Sequence, residues 1–314
     1  MRTLWLVVAV VLGVAPAVAA QSRETAAVIT EIKPGKGKVE VKPSGADWRP
    51  AGPLQALRGG DQLRASGDAS VVVLFSGGRG TTKVDAASSP WTVPATASEG
   101  KSQKAQALVA SSIGFLASGT KELPKAVLST RAIGAAPEIL TPRNGPVLPN
   151  TLVFEWLGSQ FSRYTVRVSG ANGVLVEKTG VVGARFAYPA DAPALTPGVR
   201  YRFEVEALGH PVQATSFEVV DPARGSTIVR EIRELESELG AAASANSVVV
   251  AKAGVLAAAG LLHDARLLVL AALKNDPDEP TLHTVLGHLY MRTGLERQAA
   301  EAFDEAQFLL SRDR

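Results

Sequence analysis

The residues best equipped for chemistry are few. The chain of 314 residues holds four histidines, His210, His263, His283 and His288, and no cysteine. Without thiols there are no disulfides, no thiolate metal sites and no cysteine nucleophile. No two histidines stand four apart and no His-Glu-x-x-His occurs, so a zinc site lacks its helical ligand pair. Ala95-x-x-x-x-Gly100-Lys101-Ser102 fits a relaxed phosphate-binding loop, with alanine in place of the usual first glycine. A working loop needs a buried strand before it and a partner strand ending in Asp for magnesium. Pro90 and Pro94 interrupt the first, and no second is evident. There is no Gly-x-Ser-x-Gly elbow, and the Glu234/Glu238 pair lies on a solvated helix face. No residue set makes a reaction centre. The expectation is a protein that is not an enzyme and carries no cofactor and no metal.

The element that organises the rest is a repeat. Shifting the chain by 34 residues lays Gly260 on Gly294, Ala265 on Ala299, Ala272 on Ala306, Leu256 on Tyr290 and Val269 on Phe303. The second copy reads Leu286-Gly287-x-x-Tyr290-x-x-x-Gly294-x-x-x-x-Ala299-x-x-x-Phe303-x-x-Ala306. Small residues let two helices approach closely, larger apolar ones fill the gaps, and glycine permits the turn. Period and motif resemble the tetratricopeptide repeat. The first copy departs from it at Lys252 and Ala253, and Ser311 replaces in the second copy the proline kept as Pro277. The resemblance implies helical hairpins that bind a protein or peptide in a groove lined by the first helix of each repeat. Its ligand-facing positions map onto Thr281, Thr284, His288, Met291 and Arg292, and in the first copy onto Ser247, Val250, Gly254, Ala257 and Ala258. A shallow groove with one cationic spot at Arg292 is expected, suited to an apolar or acidic-ended segment. His283 takes the family's helix-packing tryptophan position, which implies a core or boundary role. Two repeats are fewer than the three or so that make a stable stack. A helix over Ser226–Leu239, capped by Ser226 or Thr227, can cover one end. The other is expected to be open, inviting a partner or self-association through the C-terminal helix.

Two stretches ahead of the repeats have strand texture. Over Ala26–Val84, Val39-Glu40-Val41 alternates, and Val71–Phe75 is apolar on both parities, as in a strand buried on both faces. Gly37-x-Val39-x-Val41, Trp48-x-Pro50-Ala51, Leu57-x-x-Gly60-Asp61-x-Leu63-Arg64 and Ala69-x-Val71-x-Val73-x-Phe75-x-x-Gly78 together resemble the FecR-type domain. Asp61 is read as a turn residue bonding nearby amides. Signalling members of that family carry a cytoplasmic segment and a membrane span before this domain. The plan here departs from theirs, so stand-alone members joined to other binding modules are the closer likeness. Over Glu138–Val220, Phe154-x-Trp156 and Tyr164-x-Val166-x-Val168 alternate, and Ala171-Asn172-Gly173 signals a hairpin turn. Leu195-x-Pro197-Gly198-x-x-Tyr201-x-Phe203-x-Val205 resembles the fibronectin type III corner, in which a tyrosine pins the preceding loop. The resemblance implies an immunoglobulin-like sandwich with Trp156 in its core.

Met1–Ala20 reads as a secretory leader: Arg2, an apolar run over Leu4–Val14, Pro16, and small residues at Val18-Ala19-Ala20. A retained anchor is its rival. No later segment is long and apolar enough to span a bilayer. From Gly225 onward, 13 acidic residues outnumber 9 basic ones, net −4, while 23 basic against 17 acidic residues leave Gln21–Arg224 at net +6. The asymmetry suggests contacts between modules or with an acidic surface, or simply solvated faces, and gives no nucleic-acid footprint.

The sequence therefore predicts a multidomain α+β chain: a leader over 1–20, an all-β FecR-like domain over 25–95, and a linker with one amphipathic helix (Ser102–Ala117) over 96–137. A fibronectin III-like β-sandwich over 138–221 follows, then a capping helix and all-α tetratricopeptide hairpins over 225–314. The expected role is a periplasmic adaptor for a protein or peptide partner. Alternatives are an envelope protein binding peptidoglycan or polysaccharide through its β domains, a FecR-type regulator without its cytoplasmic segment, and a hydrolase with an unrecognised site. No nucleic acid and no membrane span after leader cleavage are expected.

Overall fold

A computed structural model describes residues 25–76, 80–94, 107–108, 111–112, 114, 136–149 and 152–312. The leader and the phosphate-loop lookalike lie outside the described residues. So does most of the expected helix over 102–117, of which Ala107, Leu108, Ser111, Ser112 and Gly114 are described and helical.

Eight strands come first: Ala27–Lys33 (β1), Val39–Lys42 (β2), Arg49–Pro50 (β3), Ala56–Leu57 (β4), Gln62–Ala65 (β5), Ser70–Phe75 (β6), Thr81–Asp85 (β7) and Trp91–Thr92 (β8). They form two antiparallel four-stranded sheets, ordered β4-β1-β6-β7 and β3-β2-β5-β8. Ile29, Val41, Leu63, Val71 and Val73 fill the space between them. Every residue of β6 is buried. Its alternation explains why: Val71 and Val73 face that core, while Leu74 joins Val28 on the opposite face, under the C-terminal helices. Asp61 holds its turn from inside, with Oδ1 accepting from Ser44 N at 3.0 Å and Oδ2 from Arg58 N at 2.9 Å.

Eight more strands follow: Glu138–Thr141 (β9), Gly145–Val147 (β10), Val153–Leu157 (β11), Arg163–Gly170 (β12), Gly173–Val182 (β13), Arg185–Ala187 (β14), Arg200–Ala207 (β15) and Gln213–Val219 (β16). A five-stranded sheet, β10-β16-β15-β12-β13, shares a core with a three-stranded one, β14-β11-β9. The pairs are antiparallel except β10 with β16. The aromatic residues at alternate positions close the core. Phe154 stacks on Phe203 with centroids 4.1 Å apart, and Trp156 meets Tyr164 edge-on at 5.3 Å. The Tyr201 hydroxyl accepts the Thr196 N–H at 2.6 Å and so ties down the loop before its strand.

The chain ends in five helices: Pro222–Leu239 (α1), Ala245–Ala258 (α2), Leu262–Asn275 (α3), Pro280–Arg292 (α4) and Glu296–Ser311 (α5). The architecture is thus mixed α and β, with four sheets followed by C-terminal helices. Helix α1 starts earlier than the sequence suggested. Asp221, not Ser226 or Thr227, is its N-cap, accepting from Ala223 N and Arg224 N, and Pro222 stands at its first position. Proline costs nothing there, because that N–H has no helical partner anyway. The later helices recur at the 34-residue shift: α3 opens at Leu262 and α5 at Glu296. Gly260 and Gly294, one shift apart, make the hairpin turns at φ +83° and +73°, a region that favours glycine. At Gly287 an added Cβ would lie 2.5 Å from the Phe303 ring, so glycine sets how closely α4 approaches α5.

Candidate functional site

The residues expected to line a groove lie on α2 and α4, and the rest of the chain has reached them first. Strand β1 bulges between Ile29 and Glu31. A bulge re-aims a side chain, and here Thr30 is turned onto the helices. Its hydroxyl lies 2.8 Å from Ser247 Oγ, and it also donates to Val72 O at 3.3 Å. The next three residues of β1 continue the grip. Glu31 Oε2 accepts from Ser244 Oγ at 2.6 Å, and Ile32 N donates to Glu279 Oε1 at 3.1 Å. Lys33 contacts Asp276 and lies 3.1 Å from Glu279 Oε2. Asp276 also accepts from Asn246 Nδ2 at 2.7 Å.

Ser244 and Glu279 are the N-caps of α2 and α4, accepting from Ser247 N and Thr281 N respectively. Helix starts carry unpaired N–H groups and attract oxygen ligands. Both caps therefore do double duty, closing a helix and binding β1. Glu279 is fully buried, and burial pushes its pKa up to about 7, against the pull of the Ile32 N–H and the Lys33 charge. Burial likewise works to lower the pKa of Lys33, but the bond to Asp276 and the Glu279 charge outweigh it and the net shift is upward. The two directions fit their surroundings: Lys33 keeps water access, Glu279 has none.

Further along the same face, Gly254 makes room for Ser112. A Cβ on Gly254 would lie 2.8 Å from Ser112 Cβ and 3.0 Å from its carbonyl oxygen. The position one repeat later is His288, buried, with its ring edge-on to Phe303 at 5.0 Å. Its Nε2 has no hydrogen-bond partner among the described residues, and burial lowers its pKa to about 4. A neutral ring results at physiological pH.

The expected open groove is thus closed. Thr281, Thr284 and His288 are buried, and the Thr284 hydroxyl donates to Pro280 O of its own helix at 2.8 Å. In the first copy Ser247, Val250, Gly254 and Ala257 are buried as well, and Ala258 is exposed. Met291 (39 % exposed) and Arg292 reach the surface, and Arg292 has a polar contact of its own. The physical reason is the feature read as shallowness. Small side chains such as Ser247 and Gly254 let another part of the same chain pack flush. The far end of the stack is not bare either: Leu309 is buried and Leu310 packs against the core of the first β unit.

The second β unit holds the helices from elsewhere. Arg266 Nη1 donates to Glu155 Oε2 at 2.6 Å, and its guanidinium lies 5.6 Å from the centre of the Tyr290 ring. His263 Nδ1 lies 2.6 Å from Thr141 Oγ1, and Asp264 Oδ2 accepts from Leu148 N at 3.1 Å. Arg297 and Gln298 both bond Glu138, at 2.7 and 3.1 Å. Sequence reading missed this set. The available signal was His263, Asp264 and Arg266 clustered just after the Gly260 turn, polar residues where a hairpin core begins.

A concavity on the helices is open. It is a groove of about 460 Å³ between α1 and the α2–α3 hairpin, lined by Val229, Ile232, Leu256 and Leu268, with Arg233 and Lys252 among its charges. His283 is half-buried and bonds Pro277 O at 2.7 Å. Among the described residues no cluster of His, Asp or Glu is placed to hold a metal ion, and no helix is long and apolar enough to cross a membrane. Neither a scan of protein-family models nor a search of curated proteins finds a match to this chain.

Proposed function

We propose that the chain is an exported, non-enzymatic scaffold of the periplasm. In this reading the first β unit is a FecR-like domain, the second a fibronectin III-like sandwich, and α2–α5 a tetratricopeptide pair that recruits a protein partner. The observation that carries it is how the helical polar groups are used. On the inner face Ser247, Glu279 and Asp276 are engaged by β1, whereas the open groove beside α1 is mostly apolar. Polar groups already committed to holding a structure together are poor candidates for turnover. An open apolar concavity on a helical face suits an apolar peptide segment.

The partner therefore sits in the α1 groove, not on Thr281, Thr284 and His288, which are buried. Peptidoglycan binding through the first β unit is less favoured. The face of Trp48, its best sugar platform, is taken by Arg64 at 4.2 Å, itself bonded to Glu40 at 2.7 Å. The test pairs affinity capture from envelope extract with cosedimentation on purified peptidoglycan. The expected result is a specific protein partner whose recovery falls at least tenfold with Val229→Glu, a change at an exposed groove residue. Retention on peptidoglycan, with protein capture indifferent to Val229→Glu, would overturn the scaffold reading.

A further inference from the structure

The second β unit ends in three turns that the strand register places side by side. Arg163 pairs with Val182, Tyr164 with Ala207, and Val205 with Gln213. The turns at 158–163, 182–185 and 208–212 consequently share one end of the five-stranded sheet. Phe161 and Leu208 stand on them at 88 % and 98 % exposure, with Val182 and Val212 exposed beside them. Scattered single apolar residues need no explanation, but four on one tip do.

The tip is held rigidly. Tyr164, buried in the core against Trp156, donates its hydroxyl to Ser159 O at 2.8 Å, and Ser162 N closes the turn on the same oxygen at 3.2 Å. A Cβ at Gly158 would lie 2.1 Å from that hydroxyl, so the glycine is needed for the tyrosine to reach. Leu208 rides a turn closed by His210 N onto Ala207 O at 3.0 Å, with Gly209 at φ +79°. These bonds fix the backbone of both turns.

The turns themselves carry charge of one sign. Residues 158–163, 182–185 and 207–212 contain no Asp and no Glu, but they contain Arg163, Arg185 and His210. Arg163 is exposed and has no ion-pair partner among the described residues. Arg185, 3.5 Å from Glu155, keeps most of its side chain in solvent. Phe161 and Leu208 project from these turns into solvent. Apolar wedges ringed by cations suit the boundary between anionic headgroups and acyl chains.

We propose that this tip is a membrane-contact surface, inserting Phe161 and Leu208 into an anionic bilayer while Arg163 and Arg185 meet lipid phosphates. The absence of cysteine allows a site-specific test on the full chain. Leu208→Cys carries an environment-sensitive fluorophore at the tip, and Val174→Cys, exposed at the opposite end of β13, carries it as the control. Vesicles of phosphatidylglycerol and phosphatidylcholine should shift the Leu208 label to the blue and leave the Val174 label unchanged. Pure phosphatidylcholine should do much less. Adding Phe161→Ser should raise the lipid concentration at half-saturation about tenfold, and Arg163→Gln about fivefold. The proposal is overturned by any of three results: no shift at Leu208, equal shifts at both labels, or Phe161→Ser without effect. A shift that follows protein concentration without vesicles would also overturn it, making the tip a contact between copies of the chain.

Discussion

Glu279 and His288 are two buried titratable side chains on one helix, and burial moves them in opposite directions. The carboxyl of Glu279 is raised to about 7 and the imidazole of His288 lowered to about 4. A raised carboxyl stabilises the fold most when protonated. Its contribution is complete below about pH 4.5 and is lost as pH rises through about 7. A depressed imidazole contributes most when neutral. Its contribution is complete above about 6.5 and is lost as pH falls through about 4. The two slopes oppose each other across the acidic range and mask one another in the wild type. Glu279→Gln keeps an oxygen for Ile32 N and Thr281 N while removing the buried charge. It should leave stability at pH 5 nearly unchanged and raise it at pH 8 by about 1–3 kcal/mol. Denaturant titrations at the two pH values check this; an equal effect at both would mean that Glu279 does not titrate in the window. The roles of Asp61 and Tyr201 were legible in the sequence because Arg58 N lies three residues from Asp61 and Thr196 N five from Tyr201, although Ser44, the second partner of Asp61, is 17 positions away. Glu279 was not, since Ile32 is 247 positions away.

Among the elements, β6 announced itself and β1 did not. An apolar run on both parities is read as a strand covered on both faces, and Leu74 and Val73 of β6 face different neighbours as that requires. The bulge in β1 left no such mark, because Thr30 between Ile29 and Glu31 looks like ordinary alternation. The start of α1 was misread for a similar reason: Ser226 and Thr227 have cap chemistry, but Asp221-Pro222 had it first. Corner residues were easier. Tyr201 reaches back five residues to accept from Thr196 N, and Tyr164, at the other end of the sheet, reaches back five to donate to Ser159 O. The second was missed because no proline-glycine pair precedes it. Tyr201→Phe keeps the ring but leaves the Thr196 N–H without its acceptor. A loss of about 1–3 kcal/mol in denaturant unfolding is expected if no water replaces the hydroxyl. A curve superimposable on wild type would mean the loop is held by its backbone alone.

At the scale of the molecule, the helices share cores with both β units. The net charges of the two halves hinted at such contact, and Lys33 with Asp276 and Glu279 follows that sign. Arg266 with Glu155 and Arg297 with Glu138 reverse it. Net charge thus gave no guide to these contacts. The arrangement answers how so short a stack of hairpins is covered. Leu235 and Leu239 of α1 and Ala251 and Val255 of α2 share a core with Val28 and Leu74 of the first β unit, while Leu54 and Leu140, one from each β unit, join the main helical core. Fully burying a Leu or Val side chain is worth roughly 1.5–3 kcal/mol, so cover from Val28, Leu54, Leu74 and Leu140 matters to the helices. The helices alone would lose those contacts at once. A fragment over 222–314 should therefore be partly unfolded or self-associated, and the full chain should melt with its helices and first β unit together. Calorimetry of the chain and sedimentation of the fragment measure the two. Leu74→Ala in the full chain, a cavity where sheet meets helices, should cost about 2–5 kcal/mol and lower the helical and β signals at the same temperature. A monomeric fragment melting where the full chain does would show that the helices need no cover from β1.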